Sequence, residues 1–254
     1  TVSAANSTTE GGLPVGTTFS SYFDLVTTQL HSNLLVLQPK SNVTSFAISS
    51  FDGLSNEGIG VVYKEVNSLD DLPVYAKNGF EVKVKGDAEL SEDDYYVKFE
   101  TINGETYGNG SWIECLAPSL RLGYNETTLP RELSNPSVNE FVIKPMKFAD
   151  RECGDEDTNP LASFITQKIS NIFFFKNRVG FLSNENIIMS ASGLGKTDTT
   201  GQMVFKFNRS TVTTLLDDDP IDISVSSSRV TNLHSAVGFQ ENLILFSANG
   251  QFVM

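Results

Sequence analysis

Apolar and polar residues along this chain change places over short distances, mostly with the period of a strand. Residues 80–86 alternate strictly, with Phe80, Val82 and Val84 on one side and Glu81, Lys83 and Lys85 on the other. Side chains two apart share a face of a strand, so this is the pattern of a half-buried strand. Residues 95–101 (YYVKFET) alternate in the same way, and a third apolar run carries Trp112, Ile113 and Leu116. The three predict a small antiparallel meander, with a polar SEDD loop between the first two. Upstream, residues 34–39, 44–50 and 59–66 read as short strands between turns.

One stretch has a different period. Between residues 17 and 31, apolar side chains fall at Phe19, Tyr22, Phe23, Val26 and Leu30. Steps of three and four put them on one face of a helix, with Thr17 or Thr18 as its cap. This predicts the chain's single helix. Residues 118–140 read as irregular, with Pro118, Pro130 and Pro136. Residues 140–148 read as an edge strand interrupted by Pro145. From residue 169 the pattern is densest: ISNIFFFKNRVGFLSNENIIMSAS predicts strand, tight turn, strand, turn, strand. Further strands follow through residue 254. Short strands with turns about every eight to ten residues suit a propeller or a sandwich.

The expected fold is therefore mainly β with a small α+β portion. Residues 1–130 are expected to form an inserted α+β domain containing the meander. Residues 131–254 are expected to form part of a β-propeller-like domain, as incomplete blades. The chain opens on a polar, Gly-containing stretch without Met, and its final strand runs to Met254. Both features predict a segment of a larger protein.

Composition narrows the functions. The net charge is -13, which argues against a nucleic-acid clamp because phosphate binding needs clustered Lys and Arg. An acidic surface has two readings: solubility, or a wall along which nucleic acid slides without sticking. Apolar runs fall well short of a membrane-spanning segment, and residues 1–12 lack the features of a signal peptide. Cys115 and Cys153 are the two cysteines, expected to be free thiols without zinc-ligand spacing. Five Asn-x-Ser/Thr sequons, at Asn6, Asn42, Asn109, Asn125 and Asn208, carry little weight in a chain so rich in these residues.

The candidate chemistry is thin. GLGKT (193–197) resembles the end of a phosphate-binding loop, but Ser190 stands where the motif requires Gly. Asp155, Asp157 and Asn159 alternate as in a calcium loop, but Pro160 occupies the turn glycine's place and Thr166 that of the closing Glu. Asp217, Asp218, Asp219 and Asp222 cluster around Pro220, a turn signal. His31 and His234 are isolated, so no triad can be argued. No residue is assigned a catalytic, cofactor-binding or metal-binding role.

Several blocks resemble one family: CGDEDTNPLASF (153–164), ISNIFFFKNRVGFLSNENIIMS (169–190) and LDDDPIDISVSSSRV (216–230). Residues 78–100 and the closing FQENLILFSANGQFVM continue the similarity in the same order. The resemblance is to tail tubular protein B, the nozzle protein family of short-tailed, podovirus-type phages. It covers roughly residues 70–254. It implies a longer subunit with a propeller interrupted by inserted domains, located in the virion and assembled in the host cytoplasm. It further implies a ring of six copies contacting an adaptor ring and tail fibres, through which DNA passes without specific binding. The family brings no catalytic residues or cofactors. Residues 191–203 depart from its pattern, being longer and richer in Gly and Thr. Two alternatives stand beside this reading. One is a carbohydrate- or receptor-binding β-module, which needs an exposed aromatic platform. The other is a metal-dependent hydrolase using the acidic clusters.

Overall fold

The computed structural model describes residues 19–27, 34–50, 53, 58–86, 94–193, 197–228 and 230–254. Among these the fold is mainly β, and no α-helix occurs. The expected helix is corrected. Phe19–Ser21 is a single 3-10 turn, followed by strand β1 (Phe23–Thr27). β1 pairs antiparallel with β2 (Leu35–Pro39), Leu25 opposite Leu37 and Val26 opposite Val36. A strand's backbone needs a partner that no local period contains, and Leu35–Pro39 supplies it. Positions 17, 18 and 28–31 lie outside the described residues.

A five-stranded sheet follows, built from β3 (Glu65–Val66), β4 (Tyr75–Lys77), β5 (Glu81–Val84), β6 (Tyr95–Thr101) and β7 (Tyr107–Cys115). Its order is β3-β5-β6-β7-β4, antiparallel except for the β3–β5 pair. The meander β5–β6–β7 is thus present. Residues 44–50 form no strand, and of residues 59–66 only Glu65 and Val66 do. Val82, Val84 and Val97 are buried on one face with Val66 and Leu72. Trp112 meets Phe99 edge-on at 5.0 Å and donates its indole N–H to the Pro73 carbonyl.

The stretch read as irregular hides a hairpin. β8 (Arg131–Ser137) pairs antiparallel with β9 (Glu140–Pro145), despite Pro136, with a register shift between Ser134 and Ser137. A bulge at that point accommodates a residue that cannot donate to the ladder. β10 (Lys147–Phe148) follows directly.

The centre of the molecule is a four-stranded antiparallel sheet. Its strands, in order, are β11 (Ile169–Phe175), β12 (Arg178–Ser183), β13 (Asn186–Met189) and, after β14 (Val204–Phe205), β15 (Ile221–Ser224). β14 leaves this sheet to pair in parallel with β10. Lys176 and Asn177, both at positive φ, make the two-residue turn between β11 and β12. The inner strands β12 and β13 are covered on both faces. Phe181 and Ile188, opposite one another, join Met146, Phe148, Phe164 and Phe207 on one side. Their neighbours Leu182 and Ile187 face the other side with Met189, Leu233, Leu243 and Leu245. The last three belong to a final antiparallel sheet of β16 (Leu233–Phe239), β17 (Asn242–Ser247) and β18 (Gln251–Val253). The last sheet therefore packs on one face of the central one, and β10, the turn at Phe164 and the segment at Phe207 pack on the other, with apolar side chains of adjacent strand positions alternately filling the two gaps.

Candidate functional site

The two acidic motifs singled out by sequence lie in loops joined through Arg209. Residues 153–159 form a tight turn that opens on Gly154, at φ 79, the left-handed region natural to glycine. Asp155 Oδ1 accepts the N–H groups of Asp157 and Thr158 at 3.0 and 2.9 Å and the Thr158 hydroxyl at 3.0 Å. It caps the turn, as an Asx side chain does. Asn159 is buried. Its amide donates to the carbonyls of Cys153 and Arg209, and its oxygen accepts the Arg209 N–H at 2.9 Å. Both ends of this side chain are thus engaged by backbone groups of the joint.

The second acidic cluster is also built into the structure. Arg178, buried in the turn beneath it, donates to the carbonyls of Ser190 and Asp219 at 2.8 and 2.7 Å and to that of Asp217 at 3.0 Å. The guanidinium fork gathers backbone oxygens that a turn would otherwise leave buried without partners. The Asp219 carboxylate accepts the Leu216 N–H at 3.0 Å and meets Arg209 Nε at 3.4 Å. Asp222 reaches the other way and accepts both the N–H and the hydroxyl of Ser163 at 2.8 Å. Arg209 thus ties the two acidic loops together, through backbone to Asn159 and through side chain to Asp219. The structure brings the loops together, but as a hydrogen-bonded joint. No cluster of three metal-ligating side chains occurs among the described residues.

The same loops fasten the five-stranded sheet to the stack. Leu116 makes a parallel bridge with Gly154, next to an Ala117 N–H donated to the Gly154 carbonyl at 2.8 Å. On the adjoining position, Glu114 accepts the Val212 N–H at 2.6 Å and the Thr211 hydroxyl at 2.5 Å. Nearby, buried Arg151 donates to the carbonyls of Arg121 and Asn159 and pairs with Glu156 at 3.0 Å. No strand periodicity announces Glu114, Arg151 or Arg209. Their signal is weak: single charged residues beside loops rich in Asp, Asn and Thr.

Both cysteines are free. Burial pushes the Cys115 thiol up to about 11 and the Cys153 thiol up to about 12, so neither is primed as a nucleophile. They have different neighbourhoods. Cys115 lies opposite Tyr96 on the outer sheet, whereas Cys153 Sγ donates to the Arg209 carbonyl. Tyr124 is held inside by Asn208, which accepts its hydroxyl at 2.5 Å, and burial pushes its pKa up to about 12. Asn208 is itself buried, so its sequon is no surface acceptor. His234 is exposed on β16 and contributes its carbonyl to Asn171. His31 lies outside the described residues. In the GLGKT segment, residues 194–196 do too. Thr197 enters an antiparallel bridge with Met203 around a turn capped by Asp198, where a phosphate loop would open a helix.

What these loops share is a structural task, and comparison with known proteins says in what setting. The family model of the bacteriophage nozzle protein matches residues 11–254. The chain belongs to that family. It is also 36% identical over 203 residues to tail tubular protein gp12 of Escherichia phage T7, a match covering 80% of this chain and 24% of that protein. The chain thus spans about a quarter of that relative's length. The nozzle family is a family of structural tail proteins and not of enzymes, and its members are virion components. The resemblance read from residues 153–164, 169–190 and 216–230 is borne out. Within the nozzle chain these blocks are the capped turn, the central sheet and the Arg178 turn. A hydrolase built on the acidic clusters is set aside, since the family is structural and the carboxylates of Asp155, Asp219 and Asp222 hold the fold. The aromatic cluster of Phe148, Phe164, Phe181 and Phe207 lies in the core, where it offers no platform to a sugar.

Proposed function

We propose that this chain is part of the subunit wall of a tail nozzle, a ring of six copies in the full-length protein through which genomic DNA leaves the particle. The observation that carries this is the family match across residues 11–254. The stack of sheets supports the finer reading. In it, β11, β12, β13 and β15 make one propeller blade, and β16, β17 and β18 belong to the next. A four-stranded antiparallel sheet with a second antiparallel sheet packed on one of its faces is the arrangement of adjacent blades. The division near residue 130, into an inserted domain and a propeller-like domain, belongs to the same proposal. So do contacts with an adaptor ring above and tail fibres outside.

The work of such a segment lies in surfaces and stiffness. The joint around Glu114, Asn159 and Arg209 resists shear between the two sheet systems while DNA passes. The net charge of -13 suits a conduit, because a negative wall repels phosphate and holds no DNA back. Mass measurement of the full-length nozzle protein, alone and with its adaptor ring, tests the reading. A closed ring is expected, and a protein that stays monomeric in both conditions would overturn it.

A further inference from the structure

The five-stranded sheet and the stack have separate apolar cores. Val82, Val84 and Val97 close one core within the sheet, with Phe80 and Trp112 packed against it. The cores of the stack draw on residues from Tyr124 onward. Among the described residues no apolar cluster spans both. What joins them is polar and local, gathered at the end of β7 and the two residues after it. The Glu114 carboxylate accepts the Val212 N–H and the Thr211 hydroxyl. Gly154 donates its N–H to the Cys115 carbonyl at 3.3 Å, and Ala117 donates to the Gly154 carbonyl at 2.8 Å.

Next to these bonds the chain has a place to bend. Residues 117–120 make a turn in which Ser119 sits at φ 69, a left-handed conformation that costs a non-glycine residue strain. The Leu120 N–H closes the turn on the Ala117 carbonyl at a long 3.4 Å. Directly beyond, the chain is pinned to the stack, because the carbonyls of Arg121 and Leu122 accept the side-chain and main-chain N–H groups of Arg151. A few loop residues beside a fixed end are where hinges absorb changes of φ and ψ.

We propose that Glu114 is a latch and residues 118–120 a hinge, so that the five-stranded sheet swings off the stack as one body while both keep their folds. The contacts involved all lie within this chain, so the latch does not depend on the nozzle reading. A small polar junction between bodies with their own cores leaves relative motion as the default. Closed, the latch is the joint that resists shear. Open, it frees the meander to take another orientation. Cys153 registers the difference. Its thiol is 1% exposed and lies against the Arg209 carbonyl and the Glu114 carboxylate, so a swing of the sheet uncovers it.

Alkylation of Cys153 in the full-length protein, followed by peptide mass spectrometry together with hydrogen exchange, tests this. Glu114→Ala should speed the alkylation at least about tenfold, as befits the loss of charge-assisted bonds. Exchange at the Ala117 and Gly154 amides should rise with it, although the substitution touches neither of their partners. The amides of β6 and β12 should keep wild-type protection. Thr211→Val removes one hydroxyl from the latch and touches neither core, so it should give a smaller increase of the same sign. An unchanged Cys153 rate in both variants would overturn the latch. Faster alkylation with the Ala117 and Gly154 amides unchanged would mean a local hole and would overturn the swing. Lost protection in β6 or β12 would overturn it as well, because sheet and stack would then open as a single cooperative body.

Discussion

The two large sheets use opposite economies of side chains. The five-stranded sheet is covered on one face: Val82, Val84 and Val97 point inward, and Glu81, Lys83 and Lys98 point outward. The central four-stranded sheet is covered on both faces along its inner strands, so consecutive residues Phe181 and Leu182, and again Ile187 and Ile188, are all buried, while Ile172 and Phe174 on β11 stay exposed. The first sheet could stand at an edge of a protein. The inner strands of the second need cover on both sides, because exposing either face there would return large apolar surfaces to water. The stack therefore depends on its neighbours for stability in a way that the meander does not.

Substitutions on each side should separate the two cases. Phe181→Ala is expected to have the largest effect. Phe181 is fully buried and stacked on Phe207 with centroids 5.2 Å apart. Losing its ring should cost about 3–5 kcal/mol, read as a lower midpoint in denaturant unfolding. A cost near zero would mean the first gap of the stack is not packed. Next is Arg178→Met, which keeps an apolar stem but strands the carbonyls of Ser190, Asp217 and Asp219. It should cost about 1–3 kcal/mol, with early loss of hydrogen-exchange protection at residues 216–220.

Gly180→Ala tests the other gap. The Phe173 ring lies over Gly180, and an added Cβ would stand 2.2 Å from it. The ring must swing out of the second gap, at a cost of about 1–3 kcal/mol. Thermal unfolding of that variant alongside Gly79→Ala, where nothing stands within 4 Å, isolates crowding from backbone strain.

The smallest effect lies in the meander and depends on pH. The Lys83 ammonium, hydrogen-bonded to Asp94, holds that carboxyl below its usual range, with help from the Gly86 N–H. A depressed carboxyl adds stability above its unfolded value, about pH 4, and loses it as pH falls through the folded value. Asp94→Asn should flatten that part of the acid unfolding curve for the meander while leaving the stack unchanged. An unaltered curve would mean that the pair adds nothing.

Legibility followed the same divide. Residues 95–101 were readable to the residue, because a strand with one wet face writes its orientation into alternation. The hairpins of the central sheet were readable from apolar runs cut by polar turns at Lys176–Asn177 and Asn184. Residues 19–27 were misread because Phe19, Tyr22, Phe23 and Val26 satisfy a helical period equally well. The partner strand, Leu35–Pro39, decided the matter, and no local pattern contains it. β8 was hidden for a related reason: Ser134, Asn135, Pro136 and Ser137 look like a loop until β9 lies beside them.

By itself, the order of residues determined that this would be a β protein, where most turns fall, and, through several blocks of similarity, its family. Only tertiary structure decided what the acidic motifs do. Asp155, Asp157 and Asn159 alternate as ligands would, and Asp219 stands in a second acidic run, but Asp155 Oδ1 accepts the N–H groups of Asp157 and Thr158, Asn159 that of Arg209 and Asp219 that of Leu216. Spacing along a chain describes which groups are available. Which donors arrive to meet them depends on contacts between residues as far apart as Asn159 and Arg209, and those exist only once the sheets have stacked.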